Sequence, residues 1–336
     1  MKLLVTGCAG FIGAAVCQKA LTLGYYVVGI DNLNDYYDPA LKKARLNNLA
    51  ASKHFQFYPY AIHDEHSVVS VFENEKFTHV IHLAAQAGVR YSLENPQAYV
   101  ESNLKGFVNI LEACRKSEIK HLVFASSSSV YGMNQKFPYS IHDNVDHPVS
   151  LYAATKKSNE LMAHAYSQLY RLPVTGLRYF TVYGPWGRPD MAPMQFATAI
   201  MKGEPIKVYN QGHHERDFTF IDDIVDGTLK VLEKIPEANQ SWLAEHPDPA
   251  TSNAPYRIYN IGRGKPEKLL DFIELLENHL GKKAQKEFLP KQPGDVLRTF
   301  ADITDLARDI GYSPQISLEQ GIPQFIAWFK QYYIRQ

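Results

Sequence analysis

Cysteine is scarce: Cys8, Cys17 and Cys114 are the only three in 336 residues. An odd, widely spaced set cannot make a disulfide framework, and no Cys/His group has zinc-ligand spacing, so no metal is expected. The thiols read instead as small buried apolar groups. A dominant charge is also missing. Lys+Arg and Asp+Glu both number 35, giving a formal net charge of +0. No broad field exists to attract nucleic acid or an anionic membrane, so neither is expected as a partner. No apolar run reaches membrane-spanning length, and with a strand expected from Lys2 no signal peptide is expected. A cytoplasmic location is the expectation, and any anionic ligand must be held by local groups.

What is present is an ordinary globular balance, 45% hydrophobic and 21% charged, over a length that allows one large and one smaller domain. Short apolar runs at Lys2–Thr6, Tyr26–Ile30, Gln56–Tyr60, His79–Leu83, His121–Ala125 and Val174–Arg178 alternate with helical stretches. Their apolarity is continuous rather than alternating, which suits parallel strands covered on both faces. The expected fold is α/β, a doubly wound parallel sheet of Rossmann type. After Tyr183-Gly184-Pro185 the rhythm changes. Pro236 to Pro255 reads as a surface insertion or mobile loop, Pro266 to Leu280 as a helix stopped by Gly281, and Ile322 to Tyr333 as a second helix. These later segments would form a smaller C-terminal cap over the carboxyl ends of the strands.

The first strand runs into Thr6-Gly7-Cys8-Ala9-Gly10-Phe11-Ile12-Gly13 and then a helix. Gly7 permits the tight turn, Gly10 lets the backbone approach a pyrophosphate, and Gly13 allows close helix–sheet packing. The spacing is GxxGxxG, and a glycine turn alone is weak evidence. Asp31, at the end of the second strand, strengthens it, because a carboxylate there can hold a ribose diol. Asn32-Leu33-Asn34-Asp35 supplies no Arg or Lys for a 2′-phosphate, so NAD rather than NADP is expected.

Tyr152-Ala153-Ala154-Thr155-Lys156 lies in a helical pattern reaching Tyr170. An i, i+4 pair shares a helix face, so phenol and ammonium can converge. Tyrosine titrates near ~10 and needs a cation to act as a base at neutral pH. A bare YxxxK is common on ordinary helices. Here it follows a strand ending in Ser126-Ser127-Ser128-Ser129, whose hydroxyls could bond the same substrate oxygen.

Glycine motif, strand-end serines and YxxxK, in this order, resemble the extended short-chain dehydrogenase/reductase family over essentially the whole chain. His82-Leu83-Ala84-Ala85-Gln86, Asn103 with Gly106, and Arg216-Asp217-Phe218-Thr219 fit the same pattern. The resemblance implies a cofactor site of Gly7, Gly10, Phe11, Ile12, Gly13, Asp31, Asn32, Ile62, Leu83, Ala84, Ala85, Asn103, Ser126, Tyr152, Lys156 and Tyr179. It implies Tyr152, Lys156, Ser127 and Ser128 as the catalytic group. Ala85–Ser92 and Leu177–Ala192 are similar to stretches of UDP-glucuronate 4-epimerases. Galactose-type epimerases carry Asn where this chain has Thr181. Substrate contacts are then implied at Arg90, Ser127, Ser128, Ser129, Thr181, Arg188, Met194, Phe196, Lys207, Val208, Tyr209, Arg216, Gln292 and Asp295. Gln292-Pro293-Gly294-Asp295 would lie by the nucleotide ribose. Arg188 could bind a sugar carboxylate in a bidentate way, or simply brace a Pro/Gly-rich loop. The same resemblance assigns residues 1–180, with returns at about 216–235 and 256–263, to NAD. Residues 181–215 and 264–336 are assigned to a UDP-sugar. It also implies a homodimer built on helices around Asn103–Cys114 and Tyr152–Tyr170. One departure stands out: many relatives place Asp before the Ile after the third strand, where this chain has Ala61-Ile62, with Asp64 nearby.

Dehydratases on this scaffold place Asp-Glu after the strand-end hydroxyl, and decarboxylases a Glu. Ser128 and Ser129 stand here instead. Without a second acid or base, simple return of hydride is favoured after oxidation at C4 of the sugar. The expected reaction is conversion of UDP-glucuronate to UDP-galacturonate through a transient 4-keto sugar. Alternatives are a UDP-hexose or UDP-N-acetylhexosamine 4-epimerase, a UDP-glucuronate decarboxylase, and a nucleotide-binding module without activity.

Overall fold

The computed structural model describes residues 1–292 and 295–334. Pro293 and Gly294, expected beside the nucleotide ribose, lie outside the described residues. The apolar runs form β1 (Lys2–Thr6), β2 (Tyr26–Ile30), β3 (Phe55–Tyr58), β4 (His79–His82), β5 (His121–Ser127) and β6 (Val174–Tyr179). Helices Phe11–Thr22, Pro39–Ala50, Glu65–Glu75, Gly106–Lys116 and Leu151–Tyr170 alternate with them. Then follow β7 (Thr181–Tyr183), β8 (Ile206–Tyr209), β9 (Glu215–Phe220), β10 (Tyr256–Ile261), β11 (Pro266–Lys268) and β12 (Lys286–Leu289).

β10 returns to the first six strands and completes a seven-stranded sheet ordered β10-β6-β5-β4-β1-β2-β3. All its described pairings are parallel. β4 and β6 are buried along their whole length, which is why their sequences do not alternate. The strand order reverses between β1 and β4, and a crevice opens there at the carboxyl ends. The α/β doubly wound sheet expected from the sequence is the fold observed. Beyond it, β11-β9-β7 make a three-stranded sheet and β12-β8 a two-stranded one. Helix Leu269–Leu280 packs on both Ala192–Lys202 and Leu318–Tyr333.

Several boundaries differ from expectation for identifiable reasons. β5 continues past Ala125, pairing Ser126 with Arg178 and Ser127 with Tyr179 of β6. Polar residues hid this extension, yet all are satisfied. Glu160 accepts from Ser126 Oγ at 2.6 Å and from Arg178 Nε and Nη2 at 2.9 Å each. Pro266–Lys268, expected as the start of a helix, pairs with β9 as a strand, and the helix begins at Leu269. Residues 100–105 form a wider π-type helical stretch before helix Gly106–Lys116. The segment Pro236 to Pro255 is anchored rather than wholly superficial: Ala250, Ser252 and Ala254 are buried, and Asn239 N donates to Ser252 O at 2.8 Å. All three cysteines are buried, as their apolar reading implies.

Candidate active site

A cavity of about 730 Å³ lies at the carboxyl ends of β1, β4, β5 and β6. Its floor is Gly7, Gly10, Phe11, Ile12 and Gly13. Gly7 has φ +74°, and a Cβ there would come within 2.8 Å of Ala84 N; one at Gly13 would come within 2.0 Å of Gly7 O. Neither position tolerates a side chain. The following helix has no side-chain cap at Gly10 and no acidic residue in its first turn. Its N–H groups and dipole are therefore free for a pyrophosphate, and the cradle fits a dinucleotide.

Asp31 and Asn32 line the same cavity. Asp31 accepts from Ala9 N at 3.1 Å and Leu33 N at 2.9 Å. Burial pushes its carboxyl up, opposed by those N–H groups and by Lys42 and Arg45. Lys42 is a cation that the strand-end sequence did not reveal. Its ammonium is already engaged by the Asn34 carbonyl oxygen at 2.7 Å and the Asn34 side chain, leaving the Asp31 carboxylate as the group suited to a diol. Ile62, Leu83, Ala84 and Ala85 also line the cavity, joined by Tyr60 and His63. Asp64 caps helix Glu65–Glu75, taking Ser67 Oγ at 2.5 Å, and does not replace the missing Asp beside Ile62.

Asn103 does not line the cavity; its side chain bonds Gln86 N at 2.8 Å, Gln86 O at 3.0 Å and Thr155 Oγ1 at 3.0 Å. It ties the loop after β4 to helix Leu151–Tyr170.

Ser126, Ser127, Ser128, Ser129, Tyr152, Lys156 and Tyr179 converge on the cavity. Ser150 caps helix Leu151–Tyr170 by accepting from Ala153 N at 3.1 Å, which sets Tyr152 in the first turn. Lys156 lies one turn on, and its Nζ donates to Ala125 O at 2.8 Å. The ammonium thus anchors to β5. Burial pushes the Tyr152 hydroxyl above its ordinary value; Ser127 and the Arg188 charge oppose that rise. Burial also pushes Lys156 down to about 8. Tyr179 bonds Thr228 Oγ1 at 2.9 Å.

Arg90, Thr181 and Arg188 line the cavity as well. Arg188 keeps 22% of its side chain exposed and is paired with Asp190. The other expected substrate residues do not line it. Met194, Phe196 and Val208 have their side chains buried in the core. Lys207 is exposed on β8. Tyr209 sits beneath Arg90, 5.0 Å from guanidinium carbon to ring centre, which links the cavity rim to β8. Arg216 Nη1 donates to Glu215 O at 3.0 Å and Leu297 O at 3.2 Å, and Asp295 raises its pKa against the lowering effect of burial. Gln292 and Asp295 are not among the residues that line Tyr152's cavity.

Four further lining or bracing residues were not anticipated: Tyr36, Lys42, Arg45 and Asp190. Arg45 is buried and donates to Ala9 O at 2.9 Å, Tyr37 Oη at 2.7 Å and Trp186 O at 2.6 Å. It joins the glycine turn to the Arg188 loop. Trp186, at φ +66°, is held there by Trp328 and Tyr332, whose rings lie 5.3 and 5.1 Å away. Among the described residues no cluster of His, Cys, Asp or Glu could hold a metal ion, and no helix is long and apolar enough to cross a membrane.

Comparison with known proteins agrees with this geometry. UDP-glucuronate 4-epimerase 1 of Arabidopsis thaliana is 45% identical over 339 residues, covering 99% of this chain and 77% of that protein. The solved UDP-glucuronic acid 4-epimerase of Bacillus cereus, in complex with UDP-glucuronic acid and NAD, superposes with a TM-score of 0.86 at 35% identity, covering 99% and 100% of the two chains. UDP-glucose 4-epimerase of Thermotoga maritima, with UDP-glucose, gives 0.85 at 29% identity over 98% and 99%. Scaffold likeness alone therefore does not choose between a uronate and a neutral sugar. The model of the NAD dependent epimerase/dehydratase family matches residues 3–262, and the chain belongs to that family.

Proposed function

We propose that this enzyme interconverts UDP-glucuronate and UDP-galacturonate by epimerisation at C4, retaining NAD through each cycle. The observation that carries the reading is one cavity holding Tyr152, a strand-end row of hydroxyls without a carboxylate, and the guanidinium of Arg188. NAD fits the cradle of Gly7, Gly10 and Gly13 with Asp31 at its ribose, where it would supply a reversible hydride acceptor. Ile62, Leu83, Ala84 and Ala85 would flank it, and residues 1–180 with returns at about 216–235 and 256–263 would form its domain. Residues 181–215 and 264–336 would hold the UDP-sugar.

Tyr152 takes the proton of the C4 hydroxyl, with Ser127 bonded to the same oxygen. Lys156 fixes the helix that carries Tyr152 and contributes positive charge to the site. The 4-keto sugar turns about its diphosphate linkage and presents its other face. Tyr152 then returns the proton. A β-keto acid can lose CO₂, so Arg188, Ser128 and Ser129 must hold the carboxylate away from the orientation that favours loss. A guanidinium suits that task because it binds carboxylate through two parallel bonds. Neither Ser128 nor Ser129 can supply the second acid and base that dehydration needs.

The reading includes a cytoplasmic homodimer. Val108, Leu161 and Leu169 are 36%, 60% and 71% exposed on helices Gly106–Lys116 and Leu151–Tyr170, which supports a bundle of two helices from each subunit. Incubating the purified protein with UDP-glucuronate, without added NAD, and resolving products by NMR tests the activity. UDP-galacturonate without CO₂ is expected. UDP-xylose with CO₂ would mean a decarboxylase, and turnover of UDP-glucose alone would remove Arg188 from its role.

A further inference from the structure

A guanidinium offers two edges to carboxylates: a side edge, Nε with Nη2, and an end edge, Nη1 with Nη2. In Arg188 the side edge is occupied. Nε donates to Asp190 Oδ1 at 3.0 Å, and Nη2 donates to Asp190 Oδ2. Nη1 bonds no described residue, and it is not among the sealed polar atoms without partners. Arg188 lines the cavity with Tyr152, so the end edge is the one left for a ligand.

Asp190 is held in turn. Tyr36 Oη donates to Asp190 Oδ2 at 3.1 Å, and the Tyr36 ring packs 4.8 Å from Tyr91. Tyr36 belongs to the loop after β2 that also carries Asp31 and Asn32. Gln195 Nε2 holds the Asp190 carbonyl at 3.1 Å from helix Ala192–Lys202. The pair is therefore clamped between the cofactor side and the substrate side of the cavity.

We propose that Asp190 is a positioning residue that occupies the side edge of Arg188 and turns its end edge toward the sugar carboxylate, with Tyr36 fixing Asp190. This rests on the reading of Arg188 as the carboxylate's partner. Removing Asp190 has two opposed effects. Repulsion between two carboxylates on either side of a guanidinium, in a water-accessible cavity, is worth about fivefold in affinity. Loss of one charge-assisted hydrogen bond from a bidentate set is worth about fiftyfold. A released fork also offers the wrong edge and regains side-chain freedom. Orientation outweighs repulsion.

The test measures dissociation constants for UDP-glucuronate and UDP-glucose by titration calorimetry on the cofactor-loaded protein, in a Tyr152→Phe background that stops turnover. Asp190→Asn is expected to weaken UDP-glucuronate about tenfold and UDP-glucose less than about twofold. Tyr36→Phe, which leaves the Arg188–Asp190 pair in place, should shift the ratio the same way by a smaller factor. In an Arg188→Ala background, Asp190→Asn should change the ratio no further. Equal losses for both ligands would reduce Asp190 to a fold support, and unchanged or tighter UDP-glucuronate binding would show competition with substrate; either overturns the positioning role while an uronate preference lost in Arg188→Ala keeps the carboxylate reading. If Arg188→Ala itself leaves the ratio intact, the carboxylate reading and the positioning role fall together.

Discussion

Lys156 donates through Nζ to the carbonyl oxygen of Ala125 at 2.8 Å, fastening helix Leu151–Tyr170 to β5 one turn beyond Tyr152. The bond satisfies a charge that burial disfavours. It also leaves Arg188 as the cation that opposes the rise in the Tyr152 pKa.

That arrangement has a stability signature. Burial holds Lys156 at about 8, against an ordinary 10.5. Below about 8 both folded and unfolded chains carry the proton, and the cost of burying the charge is present in full. Between about 8 and 10.5 the unfolded chain binds a proton that the folded one lacks, so stability rises with pH, by roughly 3 kcal/mol in all. Lys156→Met removes this contribution. Urea unfolding at pH 7 and at pH 10 should show the wild type gaining on the variant by about that amount; a pH-independent gap would refute the buried ammonium.

Arg188→Ala should move the pH–rate profile. Catalysis by the phenolate rises as Tyr152 loses its proton, and Arg188 lowers that pKa. Without the cation the ascending limb shifts to higher pH. A limb in the same place for variant and wild type would show that Arg188 does not act on the base.

How far these features were legible follows from their sequence separation. Continuous apolar runs marked β1, β2, β4 and β6 within a residue, because a two-sided buried strand leaves no polar face. GxxGxxG marked the cradle because its glycines are local. Tyr36 and Asp190, 154 positions apart, and Arg45 and Trp186, 141 apart, left no local signal. Arg45 looks like a helix-surface cation, and Lys42 stands outside the stretch where a phosphate-pairing cation would be sought. Periodicity placed Tyr152 and Lys156 on one face, but the face does not say which acceptor an ammonium finds.

Glu160→Gln should be severely destabilising. Arg178 is fully buried in β6, and Glu160 is its bidentate partner. Removing one charge strands the other, at a cost of about 3–5 kcal/mol. Thermal unfolding of the variant reads this directly, and a loss under about 1 kcal/mol would mean that Tyr131, which accepts from Arg178 Nη1 at 3.1 Å, suffices for the guanidinium.

Gly13→Ala should empty the cradle. Its Cβ would lie 2.0 Å from Gly7 O, a backbone atom that cannot step aside. Protein purified from cells and then denatured should release stoichiometric NAD from the wild type and almost none from a folded variant. Equal release from both would place the dinucleotide elsewhere.

The central claim is that Tyr152 moves only the hydroxyl proton while the C4 hydrogen leaves and returns as hydride without meeting solvent. Conversion of UDP-glucuronate in D₂O, followed by ¹H NMR, examines it. The account predicts UDP-galacturonate that keeps protium at C4, and a Tyr152→Phe variant slower by about a thousandfold. Deuterium at C4 of the product would contradict it.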